Sequence, residues 1–204
     1  MEDPLNIIVT GVGGQGNIQA SYIIASAALI ESFHVSVGET YGAAQRGGSV
    51  TSHIRLSRER QYGPLIPEGK AHVIVGFEPV ECLRTIGRFG NKQTRVIVNP
   101  RPAYPIDVLA GEATYPPINK VLSAIKELVF SVHVVEATEL AKKVGDVILQ
   151  NVVMVGCLAA SEFTPIKIEA FRTATTEIFA DKGLDINLKA FEIGVEEFKR
   201  TRPL

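Results

Sequence analysis

The stretch "NIIVTGVGGQGNIQASYIIASAALI", residues 6–30, joins an apolar run to an apparent helix through a cluster of glycines. The run over 5–11 is short and rich in β-branched residues, which is typical of a strand buried on both faces. Apolar residues then recur at helical spacing and predict a helix over 15–32. The stretch therefore predicts a strand, a glycine turn and a helix, the usual opening of an α/β fold.

The remaining elements follow the same alternation. The segment 33–39 predicts a second strand, and we interpret 5–39 as a βαβ unit whose two strands pair in parallel. The alternating segment 49–57 predicts a strand in a hairpin or at a sheet edge. Further strands are predicted at 71–78, 94–100 and 132–137, and further helices at 79–89, 117–130, 138–144, 146–161, 165–182 and 187–200. We expect one domain over 1–204, a three-layer, Rossmann-like α/β fold with a mostly parallel sheet and a helical C-terminal third.

Composition narrows the class of protein. The 204 residues carry 21 basic and 22 acidic side chains, and this balance gives no overall field that attracts nucleic acid or anionic lipid. No apolar run approaches the roughly 18 residues of a membrane span. The start "MEDPLNIIV" is acidic and lacks the features of a signal peptide, so we expect a cytoplasmic protein without nucleic-acid or membrane partners.

Redox cofactors are not expected on this chain alone. Its two cysteines, Cys82 and Cys157, are far apart, and a cluster held by cysteines needs about four thiolates. No recognisable thiamine diphosphate motif is present either, and no metal site is expected.

The glycine turn has two interpretations. Gly11, Gly13, Gly14 and Gly16 fit G-x-G-x-x-G, and Glu39 follows at the end of the second predicted strand, where a dinucleotide-binding fold places the carboxylate that holds a ribose. The other interpretation is that the glycines only allow close packing of helix and strand. The sequence leaves both open.

Two features disfavour the dinucleotide. Gln15 places a long amide in the turn, which we expect to be directed out of the loop mouth. The chain also continues into a second glycine-rich loop, "YGAAQRGGS" at 41–49, where Arg46 stands next to Gly47 and Gly48. A guanidinium beside bare backbone can bind a phosphate or carboxylate, or it can pair with a carboxylate at a subunit interface. We expect both loops to follow adjacent parallel strands, at the sheet edge where ligands bind.

Two helical segments also leave alternatives open. Glu78, Glu81 and Arg84 open the helix predicted at 79–89, where they either serve the helix start and an i, i+3 ion pair or face a cleft. The segment 151–161 is too apolar for a solvated helix, and its small residues suit core packing or contact with a partner.

Several motifs in order resemble one family over nearly the whole chain. The resemblance is to the gamma-type subunit of 2-oxoacid:ferredoxin oxidoreductases, and within it to the beta subunit of the indolepyruvate enzymes. The motifs are "GVGGQGN" (11–17), "GETYGAAQRGGSVTSHIRL" (38–56), "YGPLI" (62–66), "VGFEPVECLR" (75–84), "VNP" (98–100), "YPP" (115–117) and "NVVMVGCLAAS" (151–161).

The resemblance implies a subunit of an enzyme that decarboxylates a 2-oxoacid oxidatively, forms an acyl-CoA and passes electrons to ferredoxin. It implies that thiamine diphosphate, magnesium and iron–sulfur clusters belong to a large partner subunit, that CoA is a co-substrate, and that this chain is inactive alone. A stand-alone dinucleotide-binding module remains the alternative.

The resemblance also selects candidate contacts with the substrate, with CoA or with the partner's cofactor, and no catalytic residue. Arg46 is the candidate anion contact, with Gln15 and Gln45 as hydrogen-bonding neighbours. The full set is Gly11, Gly13, Gly14, Gln15 and Gly16 in the first loop, and Tyr41, Gly42, Gln45, Arg46, Gly47 and Gly48 in the second.

Overall fold

A computed structural model describes residues 2–42, 48–181 and 183–204 of the chain. Within these residues, six strands form one sheet in the order β2-β3-β1-β4-β5-β6. Their bounds are β1 Leu5–Val12, β2 His34–Tyr41, β3 Ser49–Ser57, β4 Val73–Gly76, β5 Arg95–Val98 and β6 Ser131–Val134. Because β3 alone runs against the others, the sheet is mixed and mostly parallel, as expected.

The helices lie at or close to their predicted positions, except for the short α3, which was not predicted. Their bounds are α1 Asn17–Ile30, α2 Pro79–Phe89, α3 Ile106–Leu109, α4 Ile118–Leu128, α5 Ala137–Val144, α6 Gln150–Ala160, α7 Ile168–Ile178 and α8 Leu184–Arg200. A 3₁₀ turn over Val147–Leu149 precedes α6. Among the described residues no helix combines the length and the apolar character needed to cross a bilayer.

Successive side chains of β1 point to opposite faces of the sheet and pack against two separate layers of helices. Ile7 and Val9 belong to a core with residues of α1 and of the C-terminal helices α5 to α8. Ile8, which points to the other face, packs in a second core with residues of α2 and α4. Helices therefore cover both sides of the sheet, which explains why β1 is apolar on both faces. The predicted three layers and helical C-terminal third are confirmed.

The predicted parallel pairing of β1 with β2 is wrong. β3 lies between them and pairs antiparallel with both, so that Val50 is the partner of Gly11 on one side and of Tyr41 on the other. The connection from β2 to β3 is too short for the crossover that a parallel strand needs, which requires about a dozen residues. The hairpin with β2 is confirmed, but β3 is an interior strand and β2 is the edge.

The polar residues of β3 made it resemble an edge strand, yet Ser52 is fully buried, Arg55 is half-buried, and both are hydrogen-bonded. Ser52 donates to Glu39 at 2.6 Å, and Arg55 donates to Asn6 at 3.0 Å. A buried polar group is tolerated when it has a partner, and β3 finds its partners on neighbouring strands.

Helix α1 is apolar on two faces. The face toward the sheet buries Ile23 and Ile24 together with several alanines. The outer face carries Ile18, Tyr22 and Leu29, of which Tyr22 is 54 % and Leu29 60 % exposed. The helix is therefore confirmed, while the apolar residues whose spacing predicted it lie largely on its outer side.

Helices α6 and α8 cross with their backbones in close approach. A Cβ atom at Gly156 would lie 2.2 Å from the carbonyl oxygen of Phe191, and one at Gly194 would lie 2.0 Å from that of Val153. The Cys157 thiol fits between the helices and donates to the Gly194 carbonyl oxygen at 3.2 Å. Of the two interpretations of the segment 151–161, core packing is the one observed.

Candidate functional site

The carboxyl ends of β1, β2, β4, β5 and β6 lie at one edge of the sheet, together with the start of β3. The two predicted loops meet there. The Gly13 amide donates to the Gly48 carbonyl oxygen at 2.9 Å, and the Gly42 amide donates to that of Ser49 at 2.7 Å. The loops are neighbours although β1 and β2 are not adjacent strands, because β3 begins between them. Gln45, Arg46 and Gly47 lie outside the described residues.

The side chain of Gln15 folds back into the first turn and is not directed out of its mouth. Its Oε1 accepts from the Val12 amide at 2.7 Å, and its Nε2 donates to the Phe77 carbonyl oxygen at 3.3 Å. The amide of Gln15 itself donates to the Val12 carbonyl oxygen. The expected orientation was wrong because the turn leaves backbone N–H and C=O groups without backbone partners, and the side-chain amide of Gln15 provides their hydrogen bonds.

Packing accounts for two of the glycines in the turn. A Cβ atom on Gly11 would lie 2.5 Å from Gln15 Oε1 and 2.8 Å from Asn17 Oδ1. Gly16 has φ 84°, and a Cβ atom there would lie 2.5 Å from Asn151 Nδ2 on α6. Gly14 has φ 98° but open space around its Cα, so conformation alone favours glycine at that position.

We expect Gly16→Ala to lower the free energy of unfolding by about 2 kcal/mol and Gly14→Ala by about 1 kcal/mol. Both variants place alanine at a positive φ, but only the first also contacts Asn151. Chemical denaturation of the two variants measures the difference. In an Asn151→Ala background the extra cost at Gly16 should shrink, and equal costs in both backgrounds would contradict the steric explanation.

The described residues do not favour a dinucleotide in this turn. The amides of Val12 and Gly13, which would approach a pyrophosphate, already donate to Gln15 Oε1 and to the Gly48 carbonyl oxygen. The Glu39 carboxylate accepts from Ser21 at 3.1 Å and from Ser52 at 2.6 Å. Glu39 also lies one strand further from the turn than a ribose would require, because β3 separates β2 from β1.

Two hollows flank the contact between Gly13 and Gly48. The first, which we call the α1 hollow, has a volume of about 400 Å³. The exposed ring of Tyr41 is part of its wall. Its lining residues are Gly13, Gly14, Gly16, Asn17, Ile18, Tyr41, Val50 and Ile148.

The second hollow, which we call the α2 pocket, has a volume of about 460 Å³ and lies on the other side of the two loops. Val12, Gly42, Gly48 and Ser49 of the loop edge form one wall, and the start of α2 forms another. The segment 103–116, which belongs to the proline-rich stretch between β5 and α4, completes it.

A buried acid and a half-buried phenol form a pair in the α2 pocket. Glu78 is only 1 % exposed; its Oε1 accepts from the Tyr115 hydroxyl, and its Oε2 accepts from the Glu81 amide at 2.8 Å. Burial raises the pKa of the Glu78 carboxyl. Burial, followed by the hydrogen bond with Glu78, raises the pKa of Tyr115. Perturbed groups in a cleft are candidates for function.

Sequence reasoning placed Glu78 correctly at a helix start but left its role open, and it missed Tyr115. Glu78 is the N-cap of α2 and also lines the pocket, so the two interpretations coexist. Glu81 and Arg84 form the expected ion pair at 2.6 Å, with the arginine exposed at the rim. The one signal for Tyr115 was the motif "YPP", and the spacing from Glu78 gives no hint of contact because 37 residues separate them.

A buried amide network supports this edge of the sheet from behind. Asn99, at the end of β5, donates to the carbonyl oxygen of Phe77 at 3.3 Å, to Thr138 at 2.8 Å and to Gln150 at 3.2 Å. The Phe77 carbonyl is the one that Gln15 also contacts. The first turn is thereby tied to β4, β5 and the helical layer. Among the described residues no group of three or more histidine, cysteine or carboxylate side chains is arranged to hold a metal ion.

Comparisons with known proteins agree with this architecture. The chain is 43 % identical over 199 residues to indolepyruvate oxidoreductase subunit IorB of Archaeoglobus fulgidus, with 98 % of each chain covered. Its fold is similar to that of pyruvate oxidoreductase subunit PORC of Thermotoga maritima, with a TM-score of 0.72, 22 % identity and 99 % of both chains covered. It is also similar to 2-oxoglutarate:ferredoxin oxidoreductase of Magnetococcus marinus, with a TM-score of 0.76 and 24 % identity; the match covers all of this chain and 32 % of that one.

The chain's relatives, with which its fold agrees, define a gamma-type α/β subunit of the 2-oxoacid:ferredoxin oxidoreductases. The family model described as pyruvate ferredoxin/flavodoxin oxidoreductase matches residues 6–197. The chain belongs to that family. The resemblance seen in the sequence is thus confirmed, as is the expectation of a subunit of an oxidoreductase complex.

Proposed function

We propose that this chain is the cofactor-free subunit of an indolepyruvate-type 2-oxoacid:ferredoxin oxidoreductase, acting as a single cytoplasmic domain over 1–204. Its 43 % sequence identity to indolepyruvate oxidoreductase subunit IorB supports the indolepyruvate type. In this proposal a large partner subunit holds thiamine diphosphate, magnesium and iron–sulfur clusters. CoA is the co-substrate, and ferredoxin is reached through the complex.

The observation that carries the proposal is the contact between Gly13 and Gly48, which joins the two loops at one edge with a hollow on either side. Bare backbone from two loops makes a surface that can approach a reaction centre closely. Bound thiamine diphosphate would supply the electron sink for decarboxylation. The residues of this chain would shape the cleft, orient the substrate and exclude water.

Within that surface we propose contacts from ten of the eleven candidate residues of the two loops, and a supporting role for Gln15. Its side chain is engaged inside the turn, so its contribution is to hold the turn in shape. Arg46 remains the candidate anion contact, because a guanidinium is well suited to bind a carboxylate or phosphate.

We expect Arg46→Ala in the assembled complex to raise the KM for CoA or for the oxoacid by about 10- to 150-fold, the equivalent of a charged hydrogen bond of about 1.5–3 kcal/mol. Steady-state kinetics with each substrate varied in turn measures the change. Arg88→Ala is the matched control, because Arg88 is an exposed arginine near the far end of α2. Unchanged KM values for both substrates would discard the role of Arg46.

The proposal as a whole is tested by purification with the native partner and by calorimetry on the isolated chain. We expect a large cluster-bearing subunit to copurify, and oxoacid oxidation to require both chains. Titration of the isolated chain with NAD and FAD should give no heat of binding. Tight binding of either dinucleotide, without a partner, would favour the stand-alone module instead.

A further inference from the structure

A third hollow lies at the opposite edge of the sheet from the two loops, where the parallel strands begin. Leu5, Val73 and Arg95, the first residues of β1, β4 and β5, line it. Phe163 and Pro165, from the connection between α6 and α7, form another wall. We call this hollow the Arg95 pocket. Its volume of about 520 Å³ falls within the usual range for ligand pockets, about 300–1,000 Å³.

The side chain of Arg95 is held in the pocket by two aromatic rings. Its Cζ lies over the ring of Phe163, 5.4 Å from the centroid, and over the ring of Phe130 at 5.7 Å. Such contacts fix the position of a guanidinium without using its N–H groups as donors to an oxygen, so these groups remain able to bind a carboxylate. Phe130 is 69 % exposed, and it places apolar surface beside the charge at the mouth of the pocket.

The Phe163 ring is itself fixed from behind. It packs against His133 of β6, with centroids 5.5 Å apart, and edge-on against Phe198 of α8 at 5.8 Å. The rings of His133 and Phe198 also pack against each other at 4.7 Å. This wall of the pocket is therefore formed before a ligand arrives, which reduces the cost of ordering it on binding.

Two carboxylates also line the pocket, and they differ in what they contact. The Nδ1 of His72 accepts from the Asn6 amide at 2.8 Å, so the ring carries its proton on Nε2, which contacts the Glu2 carboxylate. Glu2 therefore already has a partner. In the part of the chain that the structure describes, Glu162 belongs to no ion pair, and neither does Arg95.

Glu162 and Arg95 lie in adjoining parts of the pocket wall. Glu162 is the chain neighbour of Phe163, whose ring contacts the Arg95 guanidinium. Its backbone has φ 57°, which is uncommon for a residue other than glycine, and strained conformations of this kind gather at binding sites. A ligand with one charge would satisfy only one of these two side chains, whereas a ligand with both charges would satisfy both.

We propose that the Arg95 pocket binds a free α-amino acid with a large apolar side chain. Arg95 binds the carboxylate, Glu162 binds the ammonium group, and Leu5, Val73 and Pro165 contact the side chain. An α-amino acid carries its two charges on one carbon atom, which matches two opposite charges in adjoining parts of one wall. The pocket lies in this chain alone, so the proposal does not depend on the partner subunit or on the reaction proposed above.

The first test is a calorimetric titration of the full chain with L-phenylalanine and two analogues. 3-Phenylpropanoate lacks the ammonium group, and L-phenylalaninamide lacks the carboxylate. We expect L-phenylalanine to bind at least about tenfold more tightly than either, because each analogue loses one charge-assisted contact. Equal binding of 3-phenylpropanoate would assign the pocket to a carboxylate alone, such as the C-terminus of a peptide. Equal binding of the amide would assign it to an amine alone, and either result would overturn the proposal.

The second test locates the ligand and examines its side chain. In NMR spectra of the isotope-labelled chain, we expect L-phenylalanine to shift the amide resonances of Leu5, Val73 and Thr164, which line the pocket. The resonances of Gly13 and Gly48, at the opposite edge, should stay in place. Glycine carries both charges but no side chain, and it should bind at least about tenfold more weakly than L-phenylalanine.

The third test removes the positive charge. We expect Arg95→Gln to weaken the binding of L-phenylalanine by about 10- to 100-fold, the effect of losing a hydrogen bond between charged groups. Arg88→Gln is the matched control, because Arg88 is also an exposed arginine over a phenylalanine ring, 4.9 Å from the centroid of Phe89, but does not line the pocket. That variant should bind as the parent does.

The fourth test separates binding by Glu162 from structural support. We expect Glu162→Gln to weaken the binding of L-phenylalanine by about tenfold and to leave that of 3-phenylpropanoate unchanged, because only the first compound has an ammonium group. A residue that merely supported the pocket would affect both compounds alike. Glu169→Gln is the matched control, since Glu169 is an exposed glutamate of α7 that does not line the pocket.

Four further results would overturn the proposal. They are the absence of L-phenylalanine binding at about 10 mM, equally tight binding of glycine, resonance shifts confined to the loop edge, and equal weakening of both compounds by Glu162→Gln. An Arg88→Gln variant that binds as weakly as Arg95→Gln would likewise remove the assigned carboxylate contact.

Discussion

The Asn99→Asp variant is expected to lose about 3–5 kcal/mol of unfolding free energy at neutral pH, the cost of an uncompensated buried charge. Asn99 is fully buried, and its amide nitrogen faces the carbonyl oxygen of Phe77 and the Oε1 of Gln150. A carboxylate of nearly the same shape would present oxygen to oxygen at both contacts. Thermal or chemical denaturation of the variant and the parent measures the loss.

The pH dependence of that loss identifies charge as its cause. The pKa of the introduced carboxyl is raised by burial, so its penalty is greatest above that raised pKa and shrinks as the pH falls through it. Asn119→Asp, in the exposed first turn of α4, is the matched control and should stay within about 0.5 kcal/mol of the parent. A deficit for Asn99→Asp that is the same at acid and neutral pH would show that lost shape, not charge, is responsible.

We expect Gly194→Ala to lower the free energy of unfolding by about 3 kcal/mol or more, because the new methyl group would lie 2.0 Å from the Val153 carbonyl oxygen. This carbonyl belongs to the backbone, so it cannot avoid the clash by changing rotamer as a side chain could. Separation of α6 from α8 would be the only relief, and it would open the core that surrounds them. Chemical denaturation measures the effect.

Gly87→Ala is the matched control for that variant. Gly87 also lies inside a helix, α2, but its Cα faces open space. Alanine there should raise stability by about 0.5–1 kcal/mol, since glycine is a poor helix former. Stabilisation at both positions would mean that the helices are less tightly crossed than the structure shows.

The sequence predicted the elements of this fold better than their arrangement. The apolar run of β1 and the spacing in α2 indicate local structure directly, because a strand buried on both faces leaves a continuous apolar run and a helix buried on one face leaves a helical period. Strand order depends on which surfaces meet, and no local pattern encodes that β3 pairs with β1. The alternation in β3 indicated partial exposure, whereas Ser52 is fully buried, Arg55 is half-buried, and both have partners on neighbouring strands.

The meeting of the two candidate loops followed from the rule that ligand-binding loops gather at the carboxyl edge of a sheet, although the strands involved are not neighbours. The inward position of Gln15 could not be predicted, because the same residue could have pointed either way from a turn of four glycines. Tyr115 was beyond reach for another reason: its contact with Glu78 spans 37 residues and arises only when the proline-rich segment folds over α2.

The contact of Asn151 with Gly16 has a mechanical consequence. It braces the first turn against α6, and α6 in turn is locked to α8 through backbone that touches backbone. The turn is thus held by packing against the helical layer. A partner that displaces the turn would also have to displace the helical layer behind it. We therefore expect a movement at this edge of the sheet to be transmitted to α6 and α8.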